Sequence, residues 1–396
     1  MPPRPAQIAG TNAERTKAHN RRIVLGYLTT HEQAGRAEIA QTSGLSTQTV
    51  SNIIAELETE GLVAAAGRRA AARGQPPVLY ACIPDGAAAF GFEVRPDALL
   101  MALVNLGGSV LATQRMPLSD NSPETVLPLM AKLTGAALRK ATVERARVLG
   151  AGLVVPGSIG PGSLGATGAT ELRGWDRIDI AAAAGQALDL PVIVEKDATA
   201  AAIAEGLRGL AQGMDSYCYL YFGAGIGLGV VSRGVPLRGA HGHAGEIGHT
   251  IVRPGGLPCP CGNRGCLEQY ASRMSLQRRL GRPGEIDSAT LERLFASRRQ
   301  EITDWSESAA ATLSQTIGLL ENLFDPQTVI LGGAMPDEIL DDLIAHLALP
   351  VGSVAHRPNR TAPRVQRGSS GRMTAALGGA ALVIHDTVTP RLEARS

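Results

Sequence analysis

The chain has 396 residues, 44% of them hydrophobic and 19% charged, which favours two or three domains with sizeable cores. It contains no apolar run long enough to span a membrane and no signal-peptide stretch at its N-terminus, so we expect a cytoplasmic protein. The net charge is only +2, and five cysteines, an odd number, fit a reducing compartment. Residues 1–80 carry nine Lys and Arg against six Glu, a surplus compatible with nucleic-acid binding but also common on solvated surfaces.

Three short helices are predicted after a flexible N-terminal arm at residues 1–18, which is rich in Pro, Ala and basic side chains. Apolar residues recur at helical spacing over residues 20–28, and a second helix is indicated at residues 36–41. After a Gly-containing turn, Ser46 is a good N-cap for a third helix that ends near Gly61. This order is the helix-turn-helix pattern.

The third helix has one apolar face and one polar, uncharged face. Its apolar positions are Val50, Ile54 and Leu57. Gln48 and Asn52 lie on the polar face, where amide side chains can bond to adenine edges in the major groove, so they are the predicted base readers. Thr49 and Ser51 are predicted as neighbouring DNA contacts. The alternative for this helix is a small helical bundle with a solvated polar face.

A basic, turn-rich segment at residues 67–77 lies between two short apolar runs and has the pattern of the wing in a winged helix. Its Arg68, Arg69 and Arg73 are expected to contact DNA phosphates or enter the minor groove, which supplies affinity without sequence information. We therefore predict a winged helix-turn-helix DNA-binding domain at residues 19–82.

The remaining chain alternates strand-like runs with Ala-rich helical stretches, a pattern that predicts α/β architecture. The runs cover residues 90–94, 99–106, 148–155, 192–195 and 217–222.

A cluster of potential metal ligands follows, consisting of His249, Cys259, Cys261 and Cys266. Three thiolates and one imidazole form a ligand set that structural zinc prefers, and four protein ligands leave no open position for catalysis. Glycines between the cysteines fit the tight turns that three converging sulfurs require. The alternative is a chance cluster of buried thiols.

The motif Gly-Glu-Ile-Gly-His at 245–249 and the Cys-x-Cys-Gly-x-x-Gly-Cys-Leu-Glu run after it resemble the signature of the ROK family, which contains sugar kinases and sugar-responsive repressors. Residues 20–79 also resemble the DNA-binding domain of ROK repressors, which the family's kinases lack. The resemblance implies an actin-like, hexokinase-like α/β fold with a ligand cleft between two subdomains. These would cover residues 86–210 and 211–385, with the last helix packing back on the first subdomain.

The phosphate-binding turns of family kinases are altered in this chain. The first turn, Asp-x-Gly-Gly-Thr in kinases, corresponds to residues 93–97, where Arg95 and Pro96 replace both glycines. A side chain then stands where the backbone must approach phosphate, and proline lacks an N–H donor. The second turn, residues 223–227, keeps its glycines but has Ala224 in place of a hydroxyl residue. The alternative is that these glycines serve only the chain turn, since a strand-turn-strand of this fold needs them whether or not a nucleotide binds.

The sugar-binding residues of the family are better preserved, and the resemblance implies that His249 contacts both sugar and zinc. The implied sugar-binding residues are Gly157, Lys196, Asp197, Glu246, His249 and Glu268. Asp197 is at the family's catalytic-base position, although outside the resemblance an isolated Asp is usually a helix N-cap. Lys196 and Glu171 replace neutral amides, so we expect them to pair with each other or to bind a charged ligand group. Trp175 borders the pocket or belongs to the core.

Together these features predict a DNA-binding repressor, acting as a homodimer or higher oligomer, that is controlled by a sugar or sugar derivative and carries structural Zn²⁺. We assign no catalytic residue, because the altered turns disfavour phosphoryl transfer. One alternative is an active ATP-dependent sugar kinase with an appended DNA-binding domain. Another is a zinc-stabilised binding protein that has lost its ligand and acts through protein partners.

Overall fold

A computed structural model describes residues 13–68, 76–157, 172–282, 286, 288–352, 359–370 and 373–389. The N-terminal part contains three helices and a three-stranded antiparallel sheet with the order β1-β3-β2. These elements are α1 (Ala13–Thr30), β1 (Ala34–Gly35), α2 (Arg36–Ser43), α3 (Thr47–Thr59), β2 (Val63–Arg68) and β3 (Val78–Cys82). Across the described ranges, no helix combines the length and apolarity needed to cross a bilayer.

The helix α1 begins earlier than the sequence pattern indicates, so the prediction of a flexible arm is wrong for residues 13–18. Those residues are mostly good helix formers, and Lys17 forms an ion pair with Glu56 of α3 at 2.8 Å, which ties the start of α1 to its neighbour. Residues 1–12 lie outside the described part of the chain.

The helix α3 has the predicted cap and the predicted faces. The Ser46 side chain accepts a hydrogen bond from the backbone N–H of Thr49 at 3.1 Å, which satisfies one of the free donors at the helix start. Val50, Ile54 and Leu57 are fully buried, whereas Gln48 and Asn52 are exposed.

The first large sheet has five strands in the order β6-β5-β4-β7-β8. Its strands are β4 (Ala88–Val94), β5 (Ala98–Asn105), β6 (Val110–Pro117), β7 (Val148–Val155) and β8 (Val192–Lys196), and its helices are α4 (Pro123–Ala141), α5 (Ile180–Leu188) and α6 (Asp197–Arg208). β4, β5 and β6 pair antiparallel, and β7 and β8 continue the sheet in parallel from β4.

The second large sheet repeats this topology with the order β11-β10-β9-β12-β13. Its strands are β9 (Tyr217–Phe222), β10 (Ile226–Ser232), β11 (Val235–Pro236), β12 (Val329–Gly333) and β13 (Val365–Ser370). Its helices are α7 (Glu268–Ala271), α8 (Arg273–Arg279), α9 (Ser288–Ser297), α10 (Arg299–Phe324) and α11 (Asp337–Ala345). The predicted boundary near residue 210 falls between α6 and β9.

The last helix, α12 (Thr374–Val388), packs against β4, β7 and α6 of the first half. Glycines allow this close approach: a Cβ on Gly91 would lie 1.8 Å from the carbonyl oxygen of Ala376, and one on Gly378 would lie 2.4 Å from that of Ala200. The contact between Gly378 and Ala200 lies in the first turn of α6. The helix α12 therefore packs against the start of α6, next to the candidate ligand residues at the end of β8.

Candidate functional site

The four predicted metal ligands come together in one cluster. The ligand atoms of His249, Cys259, Cys261 and Cys266 all lie within 4.8 Å of one another. Cys259 Sγ is 3.6 Å from His249 Nδ1, and Cys261 Sγ is 3.7 Å from Cys266 Sγ. The turns that bring them together contain Gly262 and Gly265 at φ of +93° and +87°, a region that favours glycine. The cluster could hold a metal ion.

Glu268 connects this cluster to the cleft. Its Oε1 accepts a hydrogen bond from Cys259 Sγ at 3.1 Å and lies 3.7 Å from His249 Nδ1. Its Oε2 points at the β9–β10 turn, where a Cβ on Gly225 would lie 2.5 Å from it. Burial raises the pKa of the Cys259 thiol, so a bound cation would be needed to hold that sulfur as a thiolate at neutral pH.

Asp197 lies on the other side of the same turn. It is the first residue of α6, and its Oδ1 accepts the backbone N–H of Ala198 at 2.7 Å. A Cβ on Gly223 would lie 3.7 Å from Asp197 Oδ2, and one on Gly227 would lie 2.9 Å from the Ala198 side chain. The turn therefore sits between the carboxylates of Asp197 and Glu268, and the short distances at Gly225 and Gly227 leave no room for a Cβ at those two positions.

The carboxyl group of Asp197 is strongly perturbed. Desolvation raises its pKa to about 7, and the negative charges of Glu93 and Glu246 add to the increase. The hydrogen bond from Ala198 N and the charge of Lys196 act in the opposite direction. A carboxyl group that titrates near neutral pH in a cleft is typical of functional sites, although structural charge networks produce the same effect.

Lys196 pairs with Glu246, whereas Glu171, its predicted partner, lies outside the described residues. The Lys196 ammonium donates to Glu246 Oε1 at 3.0 Å and to the carbonyl of Ala244 at 2.6 Å. Only 7% of the Lys196 side chain is exposed. Because its ammonium is already paired with Glu246, Lys196 has no unpaired charge to offer to a charged ligand group.

The first phosphate turn is filled by side chains. The guanidinium of Arg95 donates to both carboxylate oxygens of Glu93, at 2.6 and 3.0 Å. The cavity that Glu93, Arg95, Pro96 and Asp197 help to line has a volume of about 50 Å³, small beside the several hundred Å³ of usual ligand pockets.

The structure places Gly157 and Trp175, two residues predicted near the sugar, in different environments. Gly157 follows β7 at a φ of +76°, and the adjoining residues 158–171 lie outside the described part of the chain. Trp175 is buried and its Nε1 donates to the carbonyl of Asn121 at 2.6 Å, so it belongs to the core.

Four of the seven predicted DNA contacts, Gln48, Thr49, Ser51 and Asn52, lie on the N-terminal half of α3. Gln48 Nε2 donates to Asn52 Oδ1 at 2.9 Å, so the two amides form one exposed polar unit. Thr49 Oγ1 is hydrogen-bonded to Ser46 Oγ at 2.8 Å, and Ser51 is half-buried. Arg68 is exposed at the end of β2, whereas Arg69 and Arg73 lie outside the described residues.

Two charged residues next to the site, Glu195 and Arg238, were not among the predicted site residues. Glu195 is buried and accepts a hydrogen bond from Arg238 Nε at 2.6 Å. The adjacent charges of Glu195 and Lys196 at the end of an apolar strand could have indicated ion pairs at this position, because buried charges need partners. No sequence pattern near Arg238 identifies it as the partner of Glu195, which lies 43 residues away.

Comparisons with known proteins agree with this architecture. A model of the ROK family matches residues 90–386. The xylose repressor of Caldicellulosiruptor bescii is 29% identical over 334 residues, which cover 80% of this chain and 83% of that protein.

Solved structures are similar as well. A ROK family transcriptional regulator described as a homolog of the E. coli MLC protein aligns with a TM-score of 0.73 at 24% identity, covering 94% of this chain and 98% of that one, which shows the fold. The ROK hexokinase from Thermus thermophilus aligns with a TM-score of 0.58 at 29% identity, covering 74% and 97%. The two repeated sheets are thus the sugar-kinase-like, actin-like fold. Because the family model matches most of its length, the chain belongs to the ROK family.

Proposed function

We propose that this protein is a sugar-responsive transcriptional repressor that binds operator DNA through its N-terminal helices and a sugar through its ROK domain. The observation that carries the proposal is the exposed amide pair of Gln48 and Asn52 on a capped helix, joined to a ROK domain whose first phosphate turn is filled by Arg95. Relatives named as repressors support the same function.

The N-terminal part acts as a winged helix-turn-helix. The helix α3 is the recognition helix, and β2 and β3 flank the segment predicted as the wing, most of which lies outside the described residues. Its Gln48 and Asn52 read base edges, with Thr49 and Ser51 beside them, while Arg68, Arg69 and Arg73 bind phosphates. A two-fold symmetric dimer would place two such helices on the half-sites of a palindrome.

The metal cluster holds structural zinc. At Zn–S of about 2.3 Å and Zn–N of about 2.0 Å, a tetrahedral site requires roughly 3.8 Å between sulfurs and roughly 3.5 Å between sulfur and nitrogen. Two of the ligand pairs, Cys261–Cys266 at 3.7 Å and Cys259–His249 at 3.6 Å, match these values, and all four ligand atoms lie within 4.8 Å of one another. The bound ion would supply charge compensation for the thiolates and a fixed orientation for His249.

The effector site lies between Asp197 and the zinc cluster. Asp197, Glu246 and Glu268 accept hydrogen bonds from sugar hydroxyls, and His249 contacts the sugar while its Nδ1 faces the metal ligands. Gly157 provides backbone that can approach the sugar closely. Binding controls DNA affinity only if the sugar binds the DNA-competent and DNA-incompetent states unequally.

The ROK domain does not transfer phosphate in this proposal. The Arg95 guanidinium bound to Glu93 occupies the turn where the backbone of a kinase would approach phosphate. The competing function is an ATP-dependent sugar kinase with an appended DNA-binding domain.

The test combines operator selection with ligand screening. Selection of duplexes from a random library should enrich a palindrome, and a sugar that stabilises the protein in thermal melts should change the affinity for it. A sugar at 100 times its dissociation constant stabilises the folded state by about 2.7 kcal/mol. Failure to enrich any sequence would contradict the DNA-binding function.

A further inference from the structure

Two ion pairs connect the end of β8 to the segment 238–246. In one pair β8 supplies the negative charge, and in the other it supplies the positive charge. Glu195 binds Arg238, with Nε 2.6 Å from Oε2, and the next residue, Lys196, binds Glu246, with Nζ 3.0 Å from Oε1. We call these two pairs the clamp. They join the sheet of the first half to a loop of the second half, across the cleft that contains the proposed effector site.

The inner members of the clamp are buried, and the outer members are half-exposed. The side chains of Glu195 and Lys196 are 5% and 7% exposed, against 48% for Arg238 and 39% for Glu246. Glu195 Oε1 also accepts the backbone N–H of Lys196 at 3.0 Å, and Lys196 also binds the carbonyl of Ala244. Buried charges that lose a partner are costly, so these contacts hold the loop firmly.

The alternating charges specify how the loop docks. A slip of the loop that exchanged partners would place Lys196 against Arg238 and Glu195 against Glu246, two like-charge contacts. Asp197 follows Lys196 directly, and His249 lies three residues after Glu246. The clamp therefore fixes Asp197 on one side of the site relative to Glu246 and the metal ligand His249 on the other.

The clamp also leaves the site with a surplus of negative groups. Among the described residues around it, the carboxylates are Glu93, Glu195, Asp197, Glu246 and Glu268, and the cations are Arg95, Lys196, Arg238 and Arg273. Arg95, Lys196 and Arg238 are each bound to a carboxylate. Three thiolates around a divalent ion would add one more negative charge. Arg273, the fourth cation, donates to the backbone carbonyls of Ala334 and Ile286. With three of the four cations bound to carboxylates, the site presents mainly hydrogen-bond acceptors, which suit hydroxyl donors better than anions.

We propose that Glu195, Lys196 and Arg238 are positioning residues that hold Glu246 and His249 for an uncharged sugar and make the site reject sugar acids and sugar phosphates. This inference rests on the proposed sugar-sensing function, because it specifies the chemical class of that effector. Lys196 acts through Glu246 and not by contacting the ligand.

Calorimetric titration of the zinc-loaded full chain tests the charge preference. The probes are D-glucose, D-xylose and N-acetyl-D-glucosamine, compared with D-glucuronate and D-glucose 6-phosphate. We expect at least one neutral sugar to bind at least tenfold more tightly than either anion. Tighter binding of either anion than of the neutral sugars overturns the inference while leaving sugar sensing intact. Absence of binding by all five probes contradicts both the inference and the sensor function.

Variants test the clamp itself. Arg238→Gln should weaken neutral-sugar binding about tenfold with unchanged zinc content, and Arg238→Lys should recover part of the loss. The matched control is Arg367→Gln. It breaks two ion pairs, each 2.7 Å long, with Asp337 and Asp341. These pairs do not line the cleft cavity, so sugar affinity should stay unchanged. Equal sugar affinity in Arg238→Gln and wild type would rule out a positioning role.

A selectivity change provides a readout that a purely structural clamp would not give. Glu246→Gln removes the carboxylate partner of Lys196, so the ratio of D-glucuronate to D-glucose affinity should increase. Adding Lys196→Met to that variant should cancel the increase. An unchanged ratio in Glu246→Gln would contradict the view that pairing with Glu246 keeps Lys196 from binding anions.

Discussion

Gly26 of α1 lies so close to Val388 of α12 that a Cβ on Gly26 would be 2.1 Å from the Val388 carbonyl oxygen. Arg22 and Asp386 form an ion pair at 3.6 Å beside this contact. The buried core of the N-terminal helices is continuous with that of the first ROK sheet. Since α12 also packs on α6, whose first residue is Asp197, the N-terminal helix α1 and the proposed effector site share a packed neighbour.

The first prediction concerns this contact. Gly26→Ala should push α1 away from α12 and destabilise the protein by about 1–3 kcal/mol, because a backbone oxygen cannot move aside without shifting its helix. The change in operator affinity caused by a saturating sugar should shrink, while sugar affinity stays near that of wild type. Thermal melts, calorimetry and operator titrations with and without sugar measure the three quantities.

The matched control is Gly135→Ala in α4, where a new Cβ would lie 3.4 Å from the flexible end of Arg139. It should be neutral or stabilise by about 0.5–1 kcal/mol through helix propensity. If Gly26→Ala kept the full operator response to sugar, packing of α1 on α12 would not carry the signal.

Sequence patterns predicted the features that depend on neighbouring residues. The cap at Ser46 and the faces of α3 follow from helical spacing, and the metal cluster spans only residues 249–266. The contacts that define the clamp join residues 43 and 50 positions apart, and no local pattern specifies them. The start of α1 was missed for a similar reason, since the ion pair of Lys17 with Glu56 is a tertiary contact.

The second prediction concerns zinc content and the loss of one zinc ligand. Wild type should contain about one zinc per chain, and Cys261→Ser should lower both the zinc content and the melting temperature, because the remaining ligands no longer complete the tetrahedron. Cys82→Ser is the control, since Cys82 is a half-buried cysteine outside the cluster. Elemental analysis and thermal melts measure the effects. Full zinc content in Cys261→Ser would contradict the ligand assignment.

The third prediction separates base contacts from phosphate contacts. Gln48→Ala or Asn52→Ala should cost roughly 1–3 kcal/mol at particular operator positions, since each removes half of the exposed amide pair. Arg68→Ala, Arg69→Ala and Arg73→Ala should weaken binding to all sequences and reduce its salt dependence. Salt titrations with specific and random duplexes distinguish the two classes. Equal losses on both duplexes in every variant would show that α3 is not the recognition helix.

The fourth prediction is that the protein does not phosphorylate sugars. Arg95 bound to Glu93 and Pro96 without an N–H remove the phosphate cradle from the first turn, so ATP should bind weakly. A coupled assay for ADP release over common hexoses, pentoses and amino sugars, with an active ROK hexokinase as positive control, should give no sugar-dependent signal. Turnover that Asp197→Asn abolishes would instead favour the kinase function.

The fifth prediction follows from the raised pKa of Asp197. Burial lifts this pKa from an ordinary 3.8 to about 7, so the folded state holds the proton more tightly than the unfolded state. The resulting stabilisation is complete below about pH 4 and is lost as the pH rises towards 7, by at most about 1.4 kcal/mol per pH unit. Asp197→Asn cannot ionise and keeps an oxygen for the backbone N–H of Ala198. It should therefore match wild type at about pH 3 and become increasingly more stable than wild type as the pH rises to about 7. Denaturant titrations at several pH values measure this difference, and a difference that did not change with pH would mean that Asp197 ionises at its ordinary pKa in the folded protein.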